Sequence, residues 1–210
     1  VTPAYAGNFI GRMLYFEKKD RKEIVLNTLM SNASQFIISI AVGGFAFLFL
    51  YQHTLSLLEI ITLISINLSL FLLYFFGDRI IKKIPLDFFN QLDLILVSKL
   101  LRTQLLALSL FRYCVFVIQF FLALLVFNVS FDLSLIPWIA LMFGAITLSP
   151  SLFFGKIIVR ETIALTILSL VGIAGPTILL AAFATWLINQ ILPVLIATLL
   201  LKKEKKHAVV

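Results

Sequence analysis

IVLNTLMSNASQFIISIAVGGFAFLFLY (residues 24–51), QHT (52–54) and LSLLEIITLISINLSLFLLYFF (55–76) follow one another directly, and together they decide the fold. A bilayer crossing takes about 20 largely apolar residues. Both long segments exceed that length, and Glu59, close to the turn, is the one acidic or basic residue in either. The very short connection leaves room only for a reversal of direction, so the stretch reads as a helical hairpin through a membrane. Asn27, Asn32, Ser34 and Gln35 lay a polar stripe along the first half of the leading span. Such residues bond between helices more often than they contact a substrate.

Composition extends this reading to the whole chain. Of 210 residues 61% are apolar and 13% charged, with 21 phenylalanines, which leaves too little polar surface for a water-soluble globule. The expected class is all-α: a polytopic transmembrane helical bundle forming a single domain over residues 1–210. A net charge of +7 could suit nucleic acid, but the basic residues cluster between apolar runs at 18–22, 79–83 and 202–206. That is the positive-inside pattern of cytoplasmic loops, so no nucleic-acid partner is expected. Cys114, the lone cysteine, lies in an apolar span and reads as a packing residue.

Downstream of the hairpin, residues 87–102 are apolar but punctuated by Asp93, Lys99 and Arg102. Gln91, Ser98 and Arg102 share one helical face, which suggests a helix lying at the interface. Residues 106–128 make a third span, in which Arg112 stands about two turns from the cytoplasmic end and reads as snorkelling to water. Residues 133–155 carry no charge before Lys156 but are broken by Pro137, Gly144 and Pro150, while residues 162–201 are forty uncharged residues interrupted by Gly172 and Gly175-Pro176. The latter divide into the end of one helix and a span near 178–201. Gln119, Asn189 and Gln190 read as bonds between helices, with Pro193 freeing the Asn189 carbonyl.

With the basic clusters inside, the C-terminus is cytoplasmic and the 128–132 and 172–176 loops are outside. Residues 133–174 satisfy this topology either as two crossings or as a re-entrant hairpin.

Two segments repeat a pattern. Gly7-Asn8-Phe9-Ile10-Gly11-Arg12 and Gly155-Lys156-Ile157-Ile158-Val159-Arg160 each place an arginine five residues after a glycine, behind Thr2-Pro3 and Ser149-Pro150 respectively. The inferred topology runs them in opposite directions, the signature of an inverted repeat. Pro3 and Pro150 would begin or end helices, and Gly7 and Gly155 would let backbone approach a ligand. Lys156 and Arg160 share a face beside such a helix start, Asn8 and Arg12 repeat the geometry with one charge fewer, and the fitting ligand is a lipid phosphate. Glu161 points about 100° from Arg160 on a helix, toward Arg12 or a cationic headgroup. The competing reading has all these side chains near the cytoplasmic interface, snorkelling to water. Because the chain opens on Val1 and enters the first motif at once, N-terminal helices of a longer protein are expected to precede it; no signal-peptide pattern is present.

Thr-Pro with Gly and Gly-Arg near the start, the Ser34-Gln35 step, and Ser-Pro followed by Val159-Arg160-Glu161 resemble the lysylphosphatidylglycerol synthase transmembrane-region, or flippase-like, family. The resemblance implies a bacterial or archaeal inner-membrane protein with re-entrant segments around a lipid cavity, and adds Gln35 to the binding residues. The chain departs from that pattern at Lys156, Ile157 and Ile158, where the family is richer in glycine, and no soluble aminoacyl-transfer domain follows the last span.

The expected function is translocation of an anionic phospholipid or polyprenyl phosphate, without cofactor or metal. A non-catalytic subunit or scaffold serving a membrane or cytosolic partner is the alternative. Enzyme chemistry is disfavoured, because His53 and His207 stand apart and no carboxylates cluster at one depth.

Overall fold

The computed structural model describes residues 21–81, 98–149 and 155–196, and these are helical with no strand among them. Six helices follow: α1 Arg21–Tyr51, α2 Leu57–Ile81, α3 Lys99–Val126, α4 Leu135–Leu148, α5 Gly155–Leu168 and α6 Gly175–Trp186, the last continuing through a π turn, Leu187–Ile191, to residue 196. Four of them are long and apolar enough to cross a membrane: α1, α2, α3 and α6 with its continuation. The chain is an all-α bundle of a multi-pass membrane protein. Helices are the expected solution, since lipid offers no partner for backbone N–H and C=O groups.

The α1–α2 hairpin forms as its sequence requires. Tyr51 O accepts the amides of Thr54 and Leu55 at 2.9 and 3.1 Å. Ser56 and Glu59 then form a capping box: Glu59 Oε2 accepts the Ser56 amide and hydroxyl at 2.8 Å each, and the Glu59 amide donates back to Ser56 Oγ at 3.4 Å.

The bundle is organised around the crossing of α1 and α4. A Cβ on Gly43 would lie 2.7 Å from Gly144 Cα, and one on Gly144 would lie 2.7 Å from Gly43 Cα and 3.2 Å from Ser39 O. Backbone meets backbone there. Ser39 and Gly43 on α1, and Ala140 and Gly144 on α4, are pairs of small residues four apart, the spacing that lets membrane helices approach closely. Tyr113 of α3 donates its hydroxyl to Ala140 O at 2.6 Å and fixes a third helix to the crossing. The core continues through Phe120 and Leu124 of α3, Ile139 and Met142 of α4, Leu168 of α5 and Ile178 of α6.

Gly144 therefore does not break a helix as its sequence suggests; α4 runs through it because the missing side chain is replaced by α1. Pro137 does not break it either, since it occupies the first turn, where an amide hydrogen has no intrahelical acceptor to lose. The break falls at Pro150: α4 ends at Leu148, and Ser149, the residue before proline, turns to an extended ψ of 121°. The described part of α5 begins at Gly155. α4 has 14 residues, about 21 Å at 1.5 Å per residue and shorter than a full crossing, while the 14 described residues of α5 run on into a 3-10 turn. The second interruption is also where the sequence puts it, with a 3-10 turn over Ser169–Val171, Gly172 at φ 79° and Pro176 in the first turn of α6.

The third span differs from expectation. α3 begins at Lys99, capped by Ser98 Oγ, which accepts the Leu101 amide at 3.2 Å. Arg102 therefore belongs to the first turn of a long spanning helix and not to an interfacial one. Its companions Gln91 and Asp93 lie outside the described residues. The earlier start also leaves Arg112 near the middle of α3 along the helix.

Replacing Gly43 or Gly144 by leucine should lower the thermal midpoint in detergent sharply, beyond the roughly 1–3 kcal/mol usual for overpacking, because backbone must yield. Gly44→Ala is the milder control: its Cβ meets the Asn67 side-chain amide at 3.1 Å, and that amide can move. Midpoints unchanged in both leucine variants would contradict the close crossing.

Candidate functional site

Arg160 is the sixth residue of α5, and its Nη2 donates to Thr185 Oγ1 of α6 at 2.8 Å. The Thr185 hydroxyl passes its own proton to Ala182 O at 2.9 Å. One turn further along α6, Asn189 Nδ2 donates to Gln119 Oε1 of α3 at 2.8 Å. A row of polar groups thus crosses α5, α6 and α3. It coincides with the π turn of α6, whose closing bond runs from the Leu192 amide to Leu187 O. Pro193 contributes to this irregularity, since it has no amide hydrogen for the carbonyl of Asn189. The Gln119–Asn189 bond is the interhelical link that the sequence suggests.

Among the described residues Arg160 has no carboxylate partner within ion-pair distance; its hydrogen bond goes to a neutral hydroxyl. Glu161 follows it in α5 and is half-buried, as Arg160 is. Gly155 opens α5 and Lys156 is the next helical residue. Gln35 lies on α1, where Nε2 donates to Ser39 Oγ at 3.4 Å and Oε1 is buried with no hydrogen-bond partner among the described residues. Since α1 packs mainly on α4, α3 and α2, and α5 on α4 and α6, α4 stands between the helices of Gln35 and Arg160. Pro3, Gly7, Asn8, Arg12 and Pro150 lie outside the described residues.

A second polar cluster was not anticipated from sequence. Arg102 is 2% exposed, and its Nη1 donates to Tyr74 O at 2.6 Å and Phe75 O at 3.3 Å, carbonyls in the second half of α2. The hydroxyl of Ser34 reaches Met30 O at 2.7 Å and the Tyr74 hydroxyl at 2.6 Å, and Tyr74 OH also reaches Arg102 O at 3.4 Å. The cluster ties α1, α2 and α3 together. The signal was present: Arg102, Ser109, Tyr113, Val117, Phe120 and Leu124 recur at intervals of seven, four, four, three and four, one buried stripe of α3.

At the opposite end of the bundle, the loops after α3 and α5 come together around a cleft of about 330 Å³ lined by Asn128, Ser130, Asp132, Gly172 and Thr177 among others. The sequence puts both loops on one side, and they meet there. Asn128, at φ 64°, ends α3 in a Schellman turn, with Val129 N–H bonded to Leu124 O at 3.1 Å. The hydroxyl and the amide of Ser134 both donate to Asp132, holding its carboxyl below the usual carboxylate range. No group of three or more His, Cys, Asp or Glu side chains gathers for a metal among the described residues.

No family model, curated protein or solved structure matches the chain.

In a double-mutant cycle, Gln119→Leu and Asn189→Leu should couple by about 0.6 kcal/mol, and by no more than about 1.7, as intramembrane side-chain hydrogen bonds do. Unfolding in mixed micelles measures it; strictly additive effects would show that the bond contributes nothing to the α3–α6 contact.

Proposed function

We propose that this protein is a flippase-like lipid translocase that is not an enzyme, and that it binds the phosphate of an anionic phospholipid or polyprenyl phosphate beside Arg160 in an intramembrane cavity. The observation that carries the reading is an arginine on α5, half-buried among apolar helices and hydrogen-bonded to an uncharged hydroxyl. A cation at span centre costs about 2.5–3.5 kcal/mol on insertion scales, and persists most readily where an anion offsets it. Thr185 orients the guanidinium without neutralising it, so donors are left over for phosphate oxygens. Two further features support this. α4 is too short to cross on its own, and the outer ends of α4 and α5 both meet the same cleft, which fits a re-entrant hairpin. The Ser149-Pro150 and Val159-Arg160-Glu161 pattern resembles the flippase-like family named above.

In this mechanism the headgroup exchanges its water shell for Arg160 while the acyl chains stay in lipid. With no nucleotide-binding loop in the sequence, net movement follows a lipid gradient or a partner's energy.

Arg160→Gln should slow leaflet exchange of fluorescent phosphatidylglycerol in reconstituted vesicles at least about tenfold, in line with loss of a charge-assisted hydrogen bond, and leave the thermal midpoint nearly unchanged. Exchange at the parental rate would make the Arg160–Thr185 bond a structural link between α5 and α6 and remove the reading's main support.

A further inference from the structure

Arg112 takes no part in either polar cluster, and its position is costly. α3 runs unbroken from Lys99 to Val126, leaving 13 residues on one side of Arg112 and 14 on the other, about 20 Å of helix each way. On the Lys99 side the nearest exposed polar side chains are Thr103 and Gln104, nine and eight residues away, and a cation within such an apolar length is costly. The side chain is exposed, with its guanidinium carbon 5.2 Å from the Phe116 ring centroid. Among the described residues no carbonyl or carboxylate accepts a hydrogen bond from it. A ring face attracts the cation but satisfies none of its in-plane donors.

The surroundings narrow the choice of partner. Leu108, Phe111, Val115, Ile118 and Leu122 form an exposed apolar flank beside Arg112. They are bulky, whereas helices that pair within membranes usually meet through small residues, as α1 and α4 do. α2 presents a comparable exposed face with no basic residue between Leu57 and Gly77, the composition of a helix that only faces lipid. Gln119, seven residues after Arg112, points within about 20° of it. One face of α3 thus leads from Arg112 to the Gln119–Asn189 pair, beside which Gln190 is exposed.

We propose that Arg112 binds the phosphate of an anionic lipid on the outer flank of α3, within the apolar length of that helix, while the acyl chains lie along Phe111, Val115 and Ile118 in the surrounding bilayer. The site deepens the translocase reading and its role in transport rests on it: a phosphate moving along α3 meets a cation at Arg112. The headgroup then travels in the groove between α3 and α6, with Gln119 and Asn189 next along the path.

The test uses the full chain in nanodiscs of phosphatidylcholine containing phosphatidylglycerol, with retained lipid counted by native mass spectrometry. Arg112→Gln should reduce phosphatidylglycerol retention about tenfold without changing phosphatidylcholine, and Arg112→Lys should keep most of it. A benzophenone at Val115, in a chain with Arg112 intact, should capture headgroup-labelled phosphatidylglycerol; this arm holds even if Arg112→Gln does not fold. Unchanged retention in Arg112→Gln, or no capture at Val115, overturns the site. Loss of retention together with a fall in oligomeric mass also overturns it, since a protein partner then covers the arginine. If the parental chain holds phosphatidylglycerol through Arg112 but exchanges no lipid, the translocase reading fails and the binding site stands. If lipid exchange depends on Arg160 but not on Arg112, the reading stands and this site fails.

Discussion

The close approach of α1 and α4 at Gly43 and Gly144 is the constraint from which the other packing follows. Two glycines face each other with no room for a methyl group between them, so one short helix is drawn against one long one. That contact positions Ala140, whose carbonyl receives Tyr113, and so sets how α3 lies on the pair. It also brings Phe143 of α4 within 6.0–6.3 Å of Tyr113, Phe116 and Phe120, measured between ring centroids. In a bilayer, where apolar surface gains little by leaving lipid, van der Waals contact of this closeness is a main source of helix association.

Polar side chains perform the complementary task of joining helices whose apolar faces would slide. Ser34, Tyr74 and Arg102 join α1, α2 and α3; Gln119 and Asn189 join α3 to α6; Arg160 and Thr185 join α6 to α5. Each link uses a donor and an acceptor from different helices, and each fixes a relative height as well as a neighbour. The two arginines in these links differ in kind. Arg102 is enclosed and directed at backbone carbonyls, which suits a fastener, whereas Arg160 is half-buried and held by a single hydroxyl.

Much of this was legible in the sequence, for reasons that can be stated residue by residue. Apolar runs and the three-residue turn define the hairpin because lipid thickness sets a length that sequence can meet or miss. Pro150 and Gly172 end helices through local stereochemistry, which needs no knowledge of the surroundings. Gly144 was misjudged because a glycine is a breaker or a contact depending on what lies opposite, and Gly43 is a hundred residues away. Arg102 was misjudged because charge normally marks the end of a span, and only the carbonyls of α2 make it tolerable inside one. The start of the helix that carries Arg112 was set seven residues late, at 106 and not at Lys99, because Lys99 and Arg102 read as part of a different element. The height of the short helix α4 follows from its packing on α1, which no local signal reports.

The π turn in α6 gives this helix a property that an uninterrupted one would lack. A π turn holds one residue more than the α-helical path it replaces, so the two ends of α6 are out of phase by about 100°. If the surplus residue were expelled, every side chain beyond it would swing by that angle, and Asn189 could no longer face Gln119. The amide pair therefore acts as a latch on a coiled element, and the strip of α6 turned toward α3 depends on whether that latch is closed.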